Sequence, residues 1–150
     1  RLMDIKQLYA DLILEYNQDT TNRRTIENPT VHEHGHNPNC GDDIDISMVV
    51  ENGIIKDIAY TGSGCAISQA STAMMMELVK GRTLEEARHL VNLFLGMIRG
   101  DVTDDSQLEE LEAACTLKDI SKMPVRVKCA VLAWHTLDMI LDRLGKDKKQ

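Results

Sequence analysis

The sequence predicts an α+β domain in which helices pack on one face of a small antiparallel sheet. Residues 44–51 and 54–61 alternate in apolar character around Asn52-Gly53, two residues that accept the positive φ angles of a tight hairpin turn. From Cys65 onward the apolar residues instead recur at helical spacing. Strands that come first and helices that come later are typical of the α+β class.

The residues before this hairpin predict one helix and a third strand. An apolar stripe predicts a helix from Met3 to about Tyr16. A polar, turn-rich stretch follows, and within it the tract His32-Glu33-His34-Gly35-His36 could form a short extended strand, giving a three-stranded sheet. The three histidines would then lie on one side and could bind a transition metal. We favour a solvated, variable loop for this tract.

Helix start and stop signals divide the second half of the chain. Gly81 ends the first of these helices, and Gly100 ends the next, which opens with a capping box at Thr83–Glu86. A second capping box, Ser106–Glu109, predicts another helix. Pro124 interrupts the chain before a final helix from Cys129 to about Leu144.

Length and composition indicate one globular domain over residues 1–150. Aromatic residues make up only 3% of the chain, so the core must be aliphatic. The net charge of -7 argues against nucleic acid as a partner, because phosphate binding needs a clustered basic surface. No apolar run approaches the ~18 residues of a membrane span, and we expect a cytoplasmic protein without a membrane partner. Residues 1–2 are expected to be left over from cloning, and residues 145–150 to form a flexible tail.

Three of the four cysteines occur in loops that lead into predicted elements. Cys65 follows Gly62-Ser63-Gly64, Cys129 precedes the last predicted helix, and Cys40 lies two residues before Asp42. Free amides at a helix start favour a thiolate, and three thiolates with one carboxylate can close a tetrahedral site around a zinc-sized ion. The alternative is that these cysteines are small buried hydrophobic residues. Their matched contexts favour metal and sulfur chemistry, although no C-x-x-C pair is present.

Other polar and sulfur-containing residues are assigned plainer roles. Arg126 and Lys128 could offset the negative charge of such a site, or simply belong to a solvated loop. Cys115 shares an apolar stripe with its neighbours, which indicates a core residue. His89 and His135 lie within predicted helices and are interpreted as surface or packing residues.

Three motifs together resemble a known family. The segments Asn37–Asp42, Gly62–Ser71 and Arg126–Trp134 read NPNCGD, GSGCAISQAS and RVKCAVLAW, and they resemble the SufU branch of the IscU/NifU-N iron–sulfur assembly proteins. The resemblance extends from about Asn37 to Leu144. It implies an IscU/SufU-like fold.

Two features favour the SufU branch. The gap between Cys65 and Cys129 is longer than in IscU-type proteins by about one helix, an insertion that SufU-type proteins carry. Lys128 also stands where IscU-type proteins have a histidine, which leaves Asp42 as the natural fourth donor. The Asn-Pro-Arg-Asn segment usual in the family is not recognisable between Tyr16 and Asn28.

The resemblance implies a zinc ion held by Cys40, Asp42, Cys65 and Cys129. It implies a SufS-type cysteine desulfurase as partner, with Cys40 accepting persulfide sulfur and passing it toward downstream iron–sulfur assembly proteins. The chain would then be a sulfurtransferase-like partner of the desulfurase rather than a stand-alone enzyme. Arg126 and Lys128 would steer or hold the anionic persulfide.

Two rival functions use the same residues. Thiolate ligands suit iron–sulfur clusters as well as zinc, so the chain could be a scaffold on which a [2Fe–2S] cluster is assembled. It could also be a non-catalytic interaction module that zinc stabilises. Metal content and a visible spectrum separate the first rival from sulfur transfer, and desulfurase stimulation separates the second.

Overall fold

A three-stranded sheet with helices on one face forms the domain, which confirms the predicted α+β class. The computed structural model describes residues 5–39 and 41–149. Within these residues the strands are Val31–Asn37 (β1), Asp42–Glu51 (β2) and Ile54–Ser63 (β3), and the helices are Ile5–Gln18 (α1), Ala66–Val79 (α2), Leu84–Arg99 (α3), Asp105–Leu108 (α4) and Pro124–Lys149 (α5), with a 3₁₀ segment, Glu109–Lys122, between the last two. None of these helices combines the length and the apolar character that crossing a bilayer requires.

The sheet is antiparallel with the strand order β1-β2-β3. Asn52 and Gly53 both have positive φ and close the β2–β3 hairpin as predicted. The histidine tract pairs with β2 from Val31 to Asn37, so our preferred interpretation of this tract as a variable loop is wrong. The inward face of β2 (Ile44, Ile46, Met48) is buried under the helices, whereas its outward residues are only half-buried.

A buried polar chain links the central helix α2 to α5. Trp134 stacks on Phe94 with a ring-centroid distance of 3.9 Å, and its indole Nε1 donates a hydrogen bond of 2.9 Å to Ser71 Oγ. The Ser71 hydroxyl in turn donates to the carbonyl oxygen of Ala130 at 2.6 Å. Because all of these groups are buried and satisfied, they fix the position of α5 along α2.

The last helix begins earlier and ends later than predicted. It starts at Pro124, since a proline at the first helical position loses no intrahelical hydrogen bond and its fixed φ suits the helix. It continues to Lys149, so residues 145–149, which we expected to be a flexible tail, are helical. Met3, the predicted start of α1, lies outside the described residues.

The capping box predicted at Ser106 does not open a helix. Asp104 is the N-cap of α4, and its Oδ1 accepts hydrogen bonds from the backbone N and the hydroxyl of Ser106 at 2.9 and 2.8 Å. Aspartate is at least as good a cap as serine, and it comes two residues earlier. After Leu108 the chain continues as a 3₁₀ segment with a kink at Glu112, where φ is 51°.

Candidate metal centre

Asp42 is a fully buried carboxylate at the start of β2. Its Oδ1 accepts a hydrogen bond of 2.9 Å from the backbone N–H of Cys65. Its Oδ2 is also buried and has no hydrogen-bond partner among the residues that the structure describes. A buried carboxylate oxygen without a partner is costly, so this oxygen calls for a cation or a further donor.

Two glycines allow the loop after β3 to approach Asp42. Gly62 has a φ of +131°, and a Cβ there would lie 2.1 Å from the carbonyl oxygen of Asp43. A Cβ on Gly64 would lie 2.7 Å from Asp42 Oδ1. Both contacts are too close for any side chain, so glycine at these positions is what lets the Cys65 amide reach the carboxylate.

Cys65 is the N-cap of α2. Its Sγ accepts a hydrogen bond of 3.5 Å from the backbone N–H of Ser68, and the side chain is half-buried. The free amides and the dipole at a helix start stabilise negative charge on a nearby atom. The structure therefore places this sulfur in the helix-start environment that its glycine-rich loop predicted.

Cys129 does not lie at a helix start. Because α5 begins at Pro124, Cys129 is in its second turn, where the backbone N–H groups already belong to intrahelical hydrogen bonds. The predicted stabilisation of its sulfur by free amides is therefore wrong. The side chain is buried, with 5% of its surface exposed. Arg126 and Lys128 precede it on the helix with exposed side chains, on α5 rather than in a loop.

The structure brings three of the four predicted donors together. One ligand atom from each of Asp42, Cys65 and Cys129 lies within 4.8 Å of the other two. Bonds of about 2.0–2.3 Å to a tetrahedral zinc ion separate its ligands by about 3.3–3.8 Å, so a small contraction suffices. One Asp42 carboxylate oxygen and the two sulfurs would supply three of the four donors of such an ion, and their chemistry suits it. Cys40, the fourth predicted donor, lies outside the described residues.

The remaining candidates are separate from this group of donors. Cys115 is half-buried and packs against the core, and His89 and His135 are exposed. Asp43 and Asp45 were not predicted as site residues, although their alternation in β2 places both on the outer face of the sheet. The alternation of aspartates in β2 and of histidines in β1 could have indicated that these side chains share one face of the sheet.

Fold and site together define a small α+β protein with a buried cysteine–aspartate centre suited to a metal ion. The sequence profile of the NifU-like N-terminal domain family matches residues 8–96. The chain is 37% identical to the iron–sulfur cluster assembly scaffold protein IscU of Thermotoga maritima, over 96% of this chain and 99% of that one. It is 35% identical to the zinc-dependent sulfurtransferase SufU of Bacillus subtilis, over 90% of each chain.

Solved structures agree with these relatives. The crystal structure of FiSufU from Fervidobacterium islandicum AW-1, assigned as an iron–sulfur cluster assembly scaffold of the SUF system, superposes with a TM-score of 0.83. It is 33% identical and the match covers 90% of this chain and 97% of that one. The chain thus belongs to the NifU-like N-terminal domain family, as a SufU-type, IscU-like member, and the resemblance based on the three motifs is confirmed.

Proposed function

We propose that this protein is a zinc-dependent sulfur-transfer protein of iron–sulfur cluster biogenesis, which receives persulfide sulfur from a SufS-type cysteine desulfurase. One observation carries the proposal: the carboxylate of Asp42 lies fully buried beside the thiols of Cys65 and Cys129, and its Oδ2 has no hydrogen-bond partner among the described residues. A structural role alone leaves that oxygen unexplained. The name of the 35% identical Bacillus subtilis relative supports zinc and sulfur transfer as the pair of properties to test.

The residues that would hold zinc are Cys40, Asp42, Cys65 and Cys129. Bound zinc keeps its thiol ligands deprotonated at neutral pH and, being redox-inert, does not promote their oxidation. Three thiolates and one carboxylate around a divalent ion carry a net charge of about -2. Neither Arg126 nor Lys128 forms an ion pair with another described residue, so these two side chains can offset that charge or bind an anionic substrate.

Cys40 is our choice for the sulfur acceptor because each of the other donors is held by its fold position. Asp42 is in a strand, the Cys65 sulfur caps α2, and Cys129 is buried in the second turn of α5. Cys40 is on the connection between β1 and β2. The acceptor must be free to leave the metal and react, so the three donors with fixed positions are disfavoured and Cys40 is the proposed ligand that remains.

The transfer step needs no oxidant or reductant. The Cys40 thiolate attacks the outer sulfur of the persulfide on the desulfurase cysteine and forms a new S–S bond. The S–S bond in the desulfurase breaks, and the electron pair leaves with the desulfurase cysteine as a thiolate. A persulfide anion remains on Cys40, and the number of protons and electrons is unchanged.

Arg126 and Lys128 would hold that anion. Both are exposed near the N-terminus of α5, where the helix dipole disfavours cationic side chains. Their positive charge therefore does not stabilise the helix. A role in receiving an anionic persulfide gives them a function, and replacing them should lower sulfur transfer more than zinc content.

The second candidate function is a scaffold for a [2Fe–2S] cluster. The Thermotoga maritima relative, 37% identical along nearly its whole length, is named as an iron–sulfur cluster assembly scaffold protein. The same thiolates suit iron and sulfide. Anaerobically purified protein distinguishes the two functions: sulfur transfer predicts a colourless protein with one zinc ion, and the scaffold predicts a brown protein with iron and sulfide.

The test of sulfur transfer is the turnover of a SufS-type desulfurase with and without this protein. We expect the wild-type chain to increase alanine release and to gain the mass of one sulfur atom on Cys40. The Cys40→Ala variant should give neither effect. Cys115→Ala, which removes a thiol outside the site, is the matched control and should behave as wild type.

Two outcomes would contradict the proposal. Full stimulation by Cys40→Ala would remove Cys40 as the acceptor. A desulfurase that is indifferent to the zinc-loaded wild-type chain would instead favour the non-catalytic, zinc-stabilised module.

A further inference from the structure

Histidines and aspartates share the outer face of the sheet, opposite the helices. His32, His34 and His36 alternate along β1 and are all exposed. Asp43 and Asp45 alternate along β2 and are half-buried. The register places His34 opposite Asp45 and His36 opposite Asp43, so the two sets of side chains lie side by side.

Two hydrogen-bonded histidine–aspartate pairs hold these side chains together across the strands. His34 Nε2 lies 2.6 Å from Asp43 Oδ1, and His32 Nε2 lies 3.0 Å from Asp45 Oδ1. One ligand atom from each of His34, Asp43 and Asp45 falls within 4.8 Å of the other two. The His34 and His36 rings stack with a centroid distance of 6.3 Å, so a second imidazole is adjacent.

The charge on this face is not balanced by the usual cations. Among the described residues, no lysine or arginine forms an ion pair with Asp43 or Asp45. Arg24 of the neighbouring loop is paired with Asp57 instead. Two carboxylates that share a small area and have only imidazoles as partners are arranged as a cation site would be.

We propose that His34, Asp43 and Asp45 bind one divalent transition-metal cation at the surface of the sheet. Imidazole nitrogen selects zinc, nickel, copper or iron over calcium and magnesium, and the two carboxylates supply charge. Because the site is open to solvent, water completes the coordination. His32 and His36 flank the three ligands and are available as alternatives.

This site is distinct from the cysteine–aspartate centre. Asp42 and Asp43 are consecutive residues of β2, so their side chains point to opposite faces of the sheet. The inner site is buried and rich in sulfur, whereas the outer site is exposed and uses only nitrogen and oxygen. The inference therefore does not depend on the proposed sulfur transfer, and either one can fail without the other.

The test is a titration of the full chain, free of any affinity tag and loaded with one equivalent of zinc, with Ni²⁺ as the probe. We expect calorimetry to detect one Ni²⁺ ion per chain without release of zinc. The double substitution His34→Gln, Asp45→Asn should weaken Ni²⁺ binding at least about tenfold, since it removes two ligands. The exposed His135 on α5 provides the matched control, and His135→Gln should leave the titration unchanged.

Nuclear magnetic resonance locates the bound ion independently of any variant. Paramagnetic Ni²⁺ should broaden the amide signals of residues 33–36 and 43–46 before any others. If the double variant does not fold, as judged by circular dichroism, His34→Gln alone takes its place. Absence of Ni²⁺ binding to the zinc-loaded wild type, equal binding by the ligand variant, or broadening elsewhere would each overturn the proposal.

Discussion

Replacing Asp42 should have opposite consequences without and with metal. It should stabilise the metal-free protein and weaken zinc binding. The substitution Asp42→Asn keeps an oxygen to accept the hydrogen bond from the Cys65 amide and replaces the unpaired Oδ2 with an NH₂ group. That NH₂ group can donate to the sulfurs of Cys65 and Cys129, which are weak acceptors within 4.8 Å of the carboxylate. Without metal, the variant no longer buries a carboxylate oxygen that lacks a hydrogen-bond partner among the described residues.

The expected magnitude follows from the cost of that oxygen. An unsatisfied buried acceptor costs about 1–3 kcal/mol, and more when it is charged. We expect Asp42→Asn to raise the free energy of unfolding of the metal-free protein by about 2 kcal/mol, or its Tm by roughly 4–8 °C for a domain of this size. With zinc, the loss of a charged ligand should lower the metal affinity by more than the roughly 10–100-fold that outer-shell changes produce.

Urea unfolding in the presence of a chelator measures the first effect, and competition with a chromogenic zinc indicator measures the second. Asp101→Asn, which changes an exposed carboxylate in a surface ion pair with Arg99, is the control and should alter neither quantity appreciably. A metal-free Asp42→Asn variant that is less stable than wild type would refute the assignment of Oδ2 as an unpaired acceptor. Undiminished zinc affinity would refute its role as a ligand.

Two further predictions concern acid stability and the metal-free fold. Arg24 and Lys80 lower the pKa of Asp57 from 3.8 to about 2, so the ion pairs stabilise the fold above pH 3.8 and their contribution is lost as the pH falls toward 2. The full shift corresponds to at most about 2.4 kcal/mol, and exposure of about a third of each side chain reduces this to about 1 kcal/mol. Urea unfolding of Asp57→Asn should show that loss of stability at pH 7 and little of it near pH 2. Chelation of bound metal should leave the helical circular dichroism largely intact and increase amide hydrogen exchange mainly in residues 37–43 and 62–66, because the buried aliphatic core contains none of the described residues of these two segments. Wholesale loss of the helical signal would contradict this prediction.

Local signals in the sequence predicted the elements of the fold well. Asn52-Gly53 and the capping box at Thr83 act through their own backbone conformations, and both behave as expected. Errors arose where two local signals competed. Asp104 displaced Ser106 as a cap, and Pro124 served as the first residue of α5 instead of a barrier before it.

The site was harder to predict because its members come from distant parts of the chain. Loop glycines before Cys65 indicated a close backbone approach, and the structure shows which atoms approach. Nothing local indicated that Asp42 would be fully buried with one oxygen unpaired, since that depends on how α5 and the β3–α2 loop close over the start of β2. The histidine tract was misjudged for the same reason: its order comes from pairing with β2.

The position of Cys129 depends on the core more than on its own surroundings. Its neighbour Ala130 accepts the hydrogen bond from Ser71, and Ser71 lies on the same helix that Cys65 caps. This buried bond, together with the one from Trp134, fixes where the helix that carries Cys129 lies against the helix that Cys65 caps. Asp42 is tied to the same helix through the Cys65 amide. The N-terminal end of α2 is thus the common reference for all three described donors, so a change in how α2 packs alters the metal centre even when every ligand is intact.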